Sequence, residues 1–422
     1  MLGERLRNVG FWTLDTLKGS PIRKRASKLD KIKKDHHGNA EALEALLRHA
    51  IGTVPYYRGI KMPDVALFPV VSKKEYRADF EAFRSKEYLD EDKLHKVYTS
   101  GSTGTPFMAY QDSEKMRWHQ AGLINLNRSI GWNLGDRFLF FRVWGVSHAS
   151  SKLSQVMSNM ISVDVMDFND EKKEQIRHRL LTDRSLHMML GYASAIESLA
   201  DYISQYNEKY RIKLIISDSE NLSETAKKKM ESVFRCPVLN RYGNNENGII
   251  GLTMPEDNRM HINFPEYYVE LLDFDSDNHV AVGKPGRIVI TDLYNKAFPF
   301  IRYDSGDIGI ADEMIGNQCT VLREFVGRVS SSLRTTNGQM IGETTITAYF
   351  ENIVGIKRYQ IAQLTAKQYE IRIENEDHVL DSLLEQRGKA VFGEDAEIRI
   401  LHTEKIQQGK NGKYKITSYE VD

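Results

Sequence analysis

Short apolar runs alternate with helical patterns through the middle of the chain. The runs are RFLFFRVWG (137–145), SLHMMLGY (185–192), IKLIISDS (212–219) and CPVLNRYG (236–243). Their length suits buried strands, and amphipathic patterns such as residues 195–206 and 224–234 lie between them. Because strand, helix and strand follow one another in this order, the pattern predicts crossover connections and a mostly parallel sheet.

The pattern changes twice toward the C-terminus. Residues 262–310 carry strand patterns without long helices, which predicts an antiparallel or barrel-like subdomain. Farther on, residues 358–374 alternate like a hairpin, a helix is predicted near 378–391, and 397–404 is predicted as the last strand.

The predicted fold class is therefore α/β. It combines a large N-terminal domain of crossover-connected sheets, which includes a β-rich subdomain, with a small C-terminal α+β domain. We predict that the large domain covers residues 1–328 and the small one residues 329–422.

The first segment of the chain predicts an amphipathic helix. Its apolar residues at helical spacing are Leu2, Leu6, Val9, Trp12 and Leu17. The basic stretch 18–34 follows, and residues 1–34 together suit contact with a membrane surface or an anionic partner. The alternative is a terminal helix packed on its own domain. No run of about 18 apolar residues occurs, so no transmembrane segment is predicted.

Composition narrows the classes of function. The 422 residues carry 58 basic and 58 acidic side chains, and this balance argues against nucleic acid as the main partner. The length exceeds that of a single hydrophobic core, which favours two or more domains. Because Cys236 and Cys319 are the two cysteines, a disulfide framework and a multi-cysteine zinc site are excluded, and a reducing, cytoplasmic location is expected.

The stretch YTSGSTGTPF at 98–107 combines two glycines with five hydroxyl residues. Glycine permits close approach and turns with positive φ, so backbone N–H groups and hydroxyls can reach phosphate oxygens. The stretch is neither a Walker A loop nor a dinucleotide fingerprint. By itself it is either a phosphate-binding loop or a flexible connection.

Further motifs follow this loop. They are KLIISDSENL (213–222), RYGNNENG (241–248), GKPGRIVIT (283–291), FIRYDSGDIG (300–309), FVGRVSSSLRTTNGQMI (325–341) and GKNGKYKIT (409–417). In this order they resemble the motif series of the adenylate-forming superfamily, which includes acyl-CoA synthetases, adenylation domains and luciferases. The compact length and the strings LHMMLGYASAIESLA and FPFIRY are most similar to the branch of phenylacetate-CoA ligase and CapK-like proteins.

The resemblance implies a ligase that uses ATP and Mg²⁺. In the family reaction a carboxylate attacks the α-phosphorus of ATP, pyrophosphate leaves, and the acyl group then passes to a nucleophile. Coenzyme A (CoA) is the acceptor that the resemblance favours. The alternatives are an amine or hydroxyl of an amino sugar or surface polysaccharide, or a relative that binds nucleotide without catalysis. Residues 1–328 would be the adenylation domain and 329–422 a mobile lid.

The resemblance also implies roles for single residues. Glu246 matches the magnesium ligand, Tyr242 flanks adenine, and Asp307 accepts hydrogen bonds from the ribose hydroxyls. Arg328 matches a cation at the ribose or phosphates and Lys413 one at the α-phosphate, so the implied catalytic residues are Lys413, Glu246 and Arg328. The implied nucleotide-binding residues are Thr99, Ser100, Gly101, Ser102, Thr103, Gly104, Glu220, Tyr242, Gly243, Asn245, Asp307 and Arg328.

Several of these assignments have structural alternatives. The segment RYGNNENG could be a surface turn, Asp304 competes with Asp307, and Arg302 is a candidate for a structural ion pair. Lys410 and Lys415 lie close to Lys413 in a tail that could simply be solvated.

The chain departs from the family pattern at several positions. Thr105 and Phe107 stand where family members often carry lysines, so pyrophosphate binding would depend on hydroxyls and backbone. Ser330 stands at the hinge, where many members carry aspartate, which leaves domain rotation open. Two cysteines cannot form the cysteine-rich metal site of some relatives.

The acid-binding pocket is expected from residues 142–152 and 190–197. Trp144, His148 and Tyr192 are the candidate lining residues, and packing in the core is the alternative for each aromatic side chain.

Overall fold

The structure is a computed structural model that describes most of the chain. The described residues are 2–35, 39–99, 107–144, 152–166, 168–220, 222–328, 332–338, 340–341, 346, 349–350, 353, 356, 358–374, 378–406 and 416–420. The structural statements below concern these residues.

Helices and one hairpin form the first third of the chain. In chain order they are α1 (Leu2–Leu17), α2 (Pro21–Asp35), α3 (Ala40–Thr53), α4 (Lys73–Ala78), β1 (His95–Thr99), β2 (Phe107–Gln111) and α5 (Ser113–Ser129). The strands β1 and β2 pair antiparallel with Thr99 opposite Phe107, so the hydroxyl-rich loop joins the two strands of a hairpin. Phe107 is buried in an aromatic core, which rules it out as a surface contact to phosphate.

A parallel sheet with crossover helices occupies the middle of the chain. Its elements are β3 (Arg137–Arg142), α6 (Lys152–Ser158), β4 (Met160–Asp164), α7 (Asp170–Thr182), β5 (Leu186–Gly191), α8 (Ala193–Ile203), β6 (Leu214–Asp218), α9 (Glu224–Phe234) and β7 (Val238–Asn244). Neighbouring strands run parallel in the order β4, β3, β5, β6, β7. Phe141, Ile196 and Met230 lie in the core between these strands and their helices. The predicted crossover architecture is confirmed.

Antiparallel strands continue the same sheet. They are β8 (Gly248–Thr253), β9 (Met260–Ile262), β10 (Tyr267–Leu272), β11 (Pro285–Asp292), β12 (Tyr303–Ile315) and β13 (Gln318–Arg328). The full strand order is β10, β11, β12, β13, β9, β8, β7, β6, β5, β3, β4. The predicted antiparallel part is therefore present, and it is hydrogen-bonded to the parallel part through β7 and β8.

The C-terminal part is a small α+β unit. It contains β14 (Leu333–Arg334), β15 (Met340–Ile341), β16 (Tyr359–Gln363), β17 (Gln368–Ile373), α10 (Asp381–Phe392), β18 (Glu397–His402) and β19 (Thr417–Tyr419). The predicted hairpin and helix are confirmed, but the prediction that 397–404 holds the last strand is wrong. The three-residue strand β19 follows it and pairs parallel with β16. Such a short edge strand leaves too little periodicity to be read from sequence.

The structure shows the surroundings of Arg302 and of the two cysteines. Arg302 is buried and forms an ion pair with Glu270, with 3.2 Å between Nε and Oε2, so it is a structural residue. Cys236 and Cys319 are both free and buried. Among the described helices, none combines the length and hydropathy that crossing a bilayer requires.

Candidate functional site

The start of the hydroxyl-rich loop lies next to the turn after β7. Asn245, in that turn, donates a hydrogen bond from Nδ2 to the backbone oxygen of Tyr98, over 2.9 Å. Gln111, at the other end of the hairpin, donates to the backbone oxygen of Glu246, also over 2.9 Å. The hairpin strands β1 and β2 and the segment RYGNNENG, which are 147 residues apart at Tyr98 and Asn245, are therefore in contact.

Tyr242 and Asp307 meet at the edge of this turn. The Tyr242 hydroxyl donates to Asp307 Oδ2 over 2.7 Å, and both side chains are buried. Asp307 lies on β12 opposite Arg328 of β13, so the backbone register brings these two predicted residues to one level of the sheet. Phe325 packs on the Tyr242 ring with 4.6 Å between the ring centroids. The ribose-binding and adenine-flanking residues implied by the motifs are thus in contact.

Asp304, the competing carboxylate, points to a different partner. Its Oδ2 accepts a hydrogen bond from Arg287 Nη1 over 2.6 Å, and its Oδ1 accepts one from the backbone N–H of Gly306. Asp304 therefore stabilises the strand pair β11 and β12, whereas Asp307 faces Tyr242.

Glu246 is a buried carboxylate with strong partners. It is 1% exposed, and its Oε1 accepts a hydrogen bond from the Tyr303 hydroxyl over 2.6 Å. Lys73 Nζ lies 3.0 Å from the same oxygen. A carboxylate taken out of water needs such compensation, because an unpaired buried charge is strongly unfavourable. The lysine thus occupies a place where a cation is required.

A buried ion pair lies on the interior side of the turn after β7. Lys115 Nζ lies 2.6 Å from Asp292 Oδ2, and both side chains are fully buried. Lys115 also donates to the Tyr267 hydroxyl over 3.2 Å, and that hydroxyl donates to the backbone oxygen of Asn247 over 2.7 Å. The position of the turn is therefore fixed by contacts from α5, β10 and β11.

A cavity of about 580 Å³ lies beside the turn. Its apolar lining includes Phe11, Trp132, Phe138, Phe140, Leu190 and Ile249. Its polar lining includes His119, Asn127, Asp218, Arg241, Asn244 and Asn245. Because Asn244 and Asn245 line the cavity and directly precede Glu246, a molecule in the cavity would lie next to the segment that carries Glu246.

The polar groups of the cavity are fixed by charge and burial. Arg241 forms a two-point ion pair with Asp218, with 3.0 Å between Nη2 and Oδ2 and 3.3 Å between Nε and Oδ1. Burial, with the charges of Lys115 and Arg241, lowers the pKa of His119 to about 4. His119 is therefore a neutral imidazole near pH 7, able to donate one hydrogen bond and accept another.

The remaining predicted residues are dispersed. Glu220 Oε2 accepts a hydrogen bond from the backbone N–H of Ser194 at the start of α8, over 3.0 Å. The Trp144 indole donates to backbone oxygens of β3 and β4, and neither Trp144 nor Tyr192 lines the cavity. Burial raises the pKa of Tyr192. As pocket residues, Trp144 and Tyr192 stay predictions.

Other predicted residues fall partly or wholly outside the description. Ser100, Gly101, Ser102, Thr103, Gly104, His148, Ser330 and Lys413 lie outside the described residues. For Thr99 and Arg328 the structure gives the backbone position alone, at the end of β1 and of β13.

Four residues of the site were not predicted from the sequence. Arg241 and Tyr303 lie inside motifs that were recognised, yet their motifs did not mark them as site residues. Lys73 and His119 lie on helices without any motif, and they reach the site through folding alone.

Comparison with known proteins gives two family matches. The family model described as AMP-binding enzyme matches residues 38–293, and the model described as CapK C-terminal domain matches residues 333–420. The chain is similar to protein CapK of Staphylococcus aureus, with 22% identity over 260 residues, or 59% of this chain. The match spans 54% of that relative, about half of its length.

Solved structures show the same fold. The chain is similar to a 2-hydroxyisobutyryl-CoA ligase in the postadenylation state with R3-HIB-AMP, with a TM-score of 0.67, 16% identity, and 89% and 88% of the two chains covered. It is also similar to the amide bond synthetase McbA from Marinactinospora thermotolerans, with a TM-score of 0.57, 11% identity, and 78% and 69% covered. The resemblance that the motif series predicted is confirmed at the level of family and fold.

Proposed function

Because this chain belongs to the AMP-binding enzyme family, we propose that it is a ligase that activates a carboxylic acid with ATP. The acid forms an acyl-adenylate, pyrophosphate is released, and the acyl group is then transferred to a second substrate. The observation that carries the proposal is the contact of Tyr242 with Asp307, on a strand whose following turn contacts Tyr98 through Asn245. The family resemblance assigns adenine and ribose to the first two residues and the phosphates to the loop that begins after Tyr98.

Asp307 and Arg328 are proposed to hold the nucleoside and its phosphates. A buried, ionised carboxylate can accept hydrogen bonds from both ribose hydroxyls, and Tyr242 fixes its orientation. The backbone N–H groups and hydroxyls of residues 99–104 are proposed to bind phosphate oxygens, as the glycine-rich sequence suggests.

Glu246 is proposed to be one ligand of Mg²⁺. This ion suits the site because it takes one or two carboxylates together with phosphate oxygens and water. Since Lys73 now lies 3.0 Å from Glu246 Oε1, the lysine would have to share the carboxylate or move when the ion binds. Bound Mg²⁺ would offset the negative charge of the phosphates.

Lys413 is proposed as the catalytic cation that neutralises charge developing at the α-phosphate, carried by a mobile domain of residues 329–422. The loss of one preorganised donor of this kind commonly costs about 3–4 kcal/mol of barrier. The match to a distinct C-terminal family model over 333–420 supports a separate unit at this end of the chain.

The acid is proposed to bind in the cavity of about 580 Å³. An aromatic wall with a neutral His119 and a paired Arg241 suits an acid that has both an apolar body and a polar substituent. Phenylacetate is one aromatic acid to test, because the motif strings resemble that branch.

CoA is the proposed acyl acceptor, supported by the structural likeness to a CoA ligase. An amine or hydroxyl acceptor, such as an amino sugar or a surface polysaccharide, is the second candidate. The likeness to an amide bond synthetase favours it. A cytoplasmic location fits the two free cysteines.

Pyrophosphate exchange into ATP over a panel of carboxylic acids tests the first step. We expect at least one acid to support exchange in wild type, and Lys413→Ala to abolish it while ATP binding persists. Lys410→Ala and Lys415→Ala are matched controls that should retain exchange. If none of the acids supports exchange, a protein that binds nucleotide without catalysis is favoured. Unchanged exchange in Lys413→Ala would remove the assigned role of that lysine.

The second step needs its own assay. With the best acid, product formation is measured with CoA and with a panel of amines. Thioester formation supports CoA as the acceptor. Exchange without any acylation of CoA, together with amide formation, would decide for the second candidate.

A further inference from the structure

The helix α1 exposes an apolar face. Leu6, Val9, Leu14 and Leu17 are 63%, 62%, 55% and 77% exposed. At 100° per residue they fall within one side of the helix, together with the neutral residues 10, 13 and 16. An uncharged strip with four exposed aliphatic side chains is unusual on a protein surface and indicates an interaction.

Three polar residues of α1, by contrast, contact the rest of the domain. Asp15 is buried and accepts hydrogen bonds from the backbone N–H groups of Ile22 and Arg23, over 2.9 and 3.1 Å, at the start of α2. Asn8 donates to the backbone oxygen of Leu134, and Arg7 donates to that of Val156, each over 3.0 Å. The helix is therefore fixed to its own domain by polar contacts, and its leucines remain outside.

The neighbouring helix α2 exposes basic side chains. The exposed members of its outer face are Arg23, Lys24, Lys28, Lys31 and Lys34. Lys24, Lys28, Lys31 and Lys34 follow one another at spacings of four, three and three residues, which places them along one side of the helix, and Arg23 lies at the edge of that side. Of its two acidic residues, Asp30 pairs with Arg128, with 2.6 Å between Oδ2 and Nη2, and Asp35 is the last residue of the helix.

The apolar strip continues to the cavity. Val156 and Met157, at the end of α6, are exposed and apolar, and Val156 is joined to α1 by the Arg7 hydrogen bond. Met157, Arg7 and Phe11 also line the cavity. One end of the cavity therefore lies beside the exposed strip of α1.

We propose that α1 and α2 dock this protein on the surface of an anionic lipid bilayer. The leucines of α1 would enter the boundary between headgroups and acyl chains, and the lysines of α2 would contact the anionic headgroups. Charge complementarity selects the bilayer as the occupant, because a helix with exposed leucines followed directly by a helix with exposed lysines matches apolar chains beneath negative headgroups. Docking would place the cavity mouth at the membrane, where amphiphilic acids concentrate.

Sedimentation with lipid vesicles tests the proposal on the full-length protein. We expect wild type to bind vesicles of phosphatidylglycerol mixed with phosphatidylcholine, and not vesicles of phosphatidylcholine alone. The variant Leu6→Gln/Val9→Gln/Leu14→Gln/Leu17→Gln should bind at least about tenfold more weakly, as should Lys24→Gln/Lys28→Gln/Lys31→Gln. Added salt should weaken wild-type binding.

Matched controls change equally exposed residues elsewhere. Met62→Gln/Leu67→Gln/Leu89→Gln/Val379→Gln and Lys61→Gln/Lys74→Gln/Lys209→Gln should bind like wild type. Thermal unfolding checks that each variant is folded. Should the α1 variant fail to fold, hydrogen exchange of wild type replaces it: residues 2–17 should gain protection when anionic vesicles are added.

Four results would overturn the proposal. The first is no binding of wild type to the anionic vesicles, and the second is full binding by either test variant. The third is a loss of vesicle binding in the control variants equal to that in the test variants. The fourth is a wild-type dimer that the α1 substitutions convert to a monomer. The last result would assign the strip to a second copy of the chain. Pyrophosphate exchange in solution is measured on the same variants, so failure of docking is distinguished from failure of the proposed reaction.

Discussion

Two aspartates three residues apart show how environment decides the role of a carboxylate. Asp307 is buried against the Tyr242 hydroxyl, and Asp304 is held by Arg287. The sequence presents them in one motif, and their chemistry is the same. Their partners differ because the regular alternation of β12 is interrupted between them, where the register against β11 shifts and Gly306 has a positive φ.

Asp307→Asn tests the ribose contact. The change removes the negative charge that would accept two ribose hydrogen bonds, so KM for ATP should rise by about tenfold to a hundredfold. The measurement is the ATP dependence of pyrophosphate exchange.

Asp304→Asn is the matched control. It should lower the free energy of unfolding through the lost Arg287 contact and leave KM for ATP near the wild-type value. An equal rise of KM in both variants would contradict the separate roles of the two carboxylates.

Glu266 gives a pH-dependent prediction. Burial raises the pKa of Glu266 to about 7, and the nearby Asp292 acts in the same direction, while Lys115 and Asn263 oppose it. The native protein then binds one more proton than the unfolded chain between pH 4.5, the ordinary value, and about 7. The free energy of unfolding should therefore fall as pH rises through this window, by about 3 kcal/mol in total.

Glu266→Gln should remove this contribution, because glutamine does not ionise. The measurement is urea unfolding of both proteins at about pH 5 and about pH 8. The free energy of unfolding of the variant relative to wild type should be higher at the higher pH, by up to about 3 kcal/mol. The exposed Glu256→Gln serves as the control and should show the wild-type dependence. A parallel loss of stability with pH in Glu266→Gln would refute the assignment.

At the scale of elements, α5 connects the buried interior with the candidate site. It carries Lys115 under the turn, His119 into the cavity and Gly122 against Glu266. A Cβ atom at position 122 would lie 1.4 Å from Glu266 Oε1, so this glycine is required by close packing.

Gly122→Ala should destabilise the protein by about 1–3 kcal/mol or more, because Glu266 must move within a packed interior. Gly52→Ala, in α3, is the matched control: its Cβ would meet nothing within 4 Å. That change should stabilise by up to about 1 kcal/mol through helix propensity. Urea unfolding measures both, and equal effects would contradict the packing argument.

At the scale of the whole molecule, the hydrophobic core of the C-terminal unit is separate from the cores formed by the preceding part of the chain. The described buried cluster of the C-terminal unit runs from Leu333 to Ala396, and the other described clusters end by residue 326. Two cores without shared members behave as two domains. The proposed boundary at 328 and 329 lies in this interval.

Removing residues 329–422 should therefore leave a folded fragment. We expect fragment 1–328 to unfold cooperatively and bind ATP, and to lose pyrophosphate exchange because Lys413 is absent. Calorimetry and exchange measure the two properties. A fragment that is unfolded would show that the two cores depend on each other.

The sequence predicted the larger part of the fold from local pattern. Alternation and helical spacing gave β3, β5, β6, β7 and the helices α8 and α9, because each signal lies within one element, whereas α6 and α7 were not predicted. The strand β4, at the edge of the sheet, and the three-residue β19 were missed. The motif order predicted the contact of Tyr242 with Asp307 only through the family resemblance.

What the sequence determined by itself is many of the helices and strands, the order of the motifs and the chemical groups they supply, because periodicity and motif spacing are properties of neighbouring residues. Only the tertiary structure decided which groups meet. It placed Lys73 and Tyr303 on Glu246, separated Asp304 from Asp307, and turned the leucines of α1 outward. These outcomes depend on contacts between residues far apart in the chain, and their energies are set by burial and pairing that no local pattern encodes.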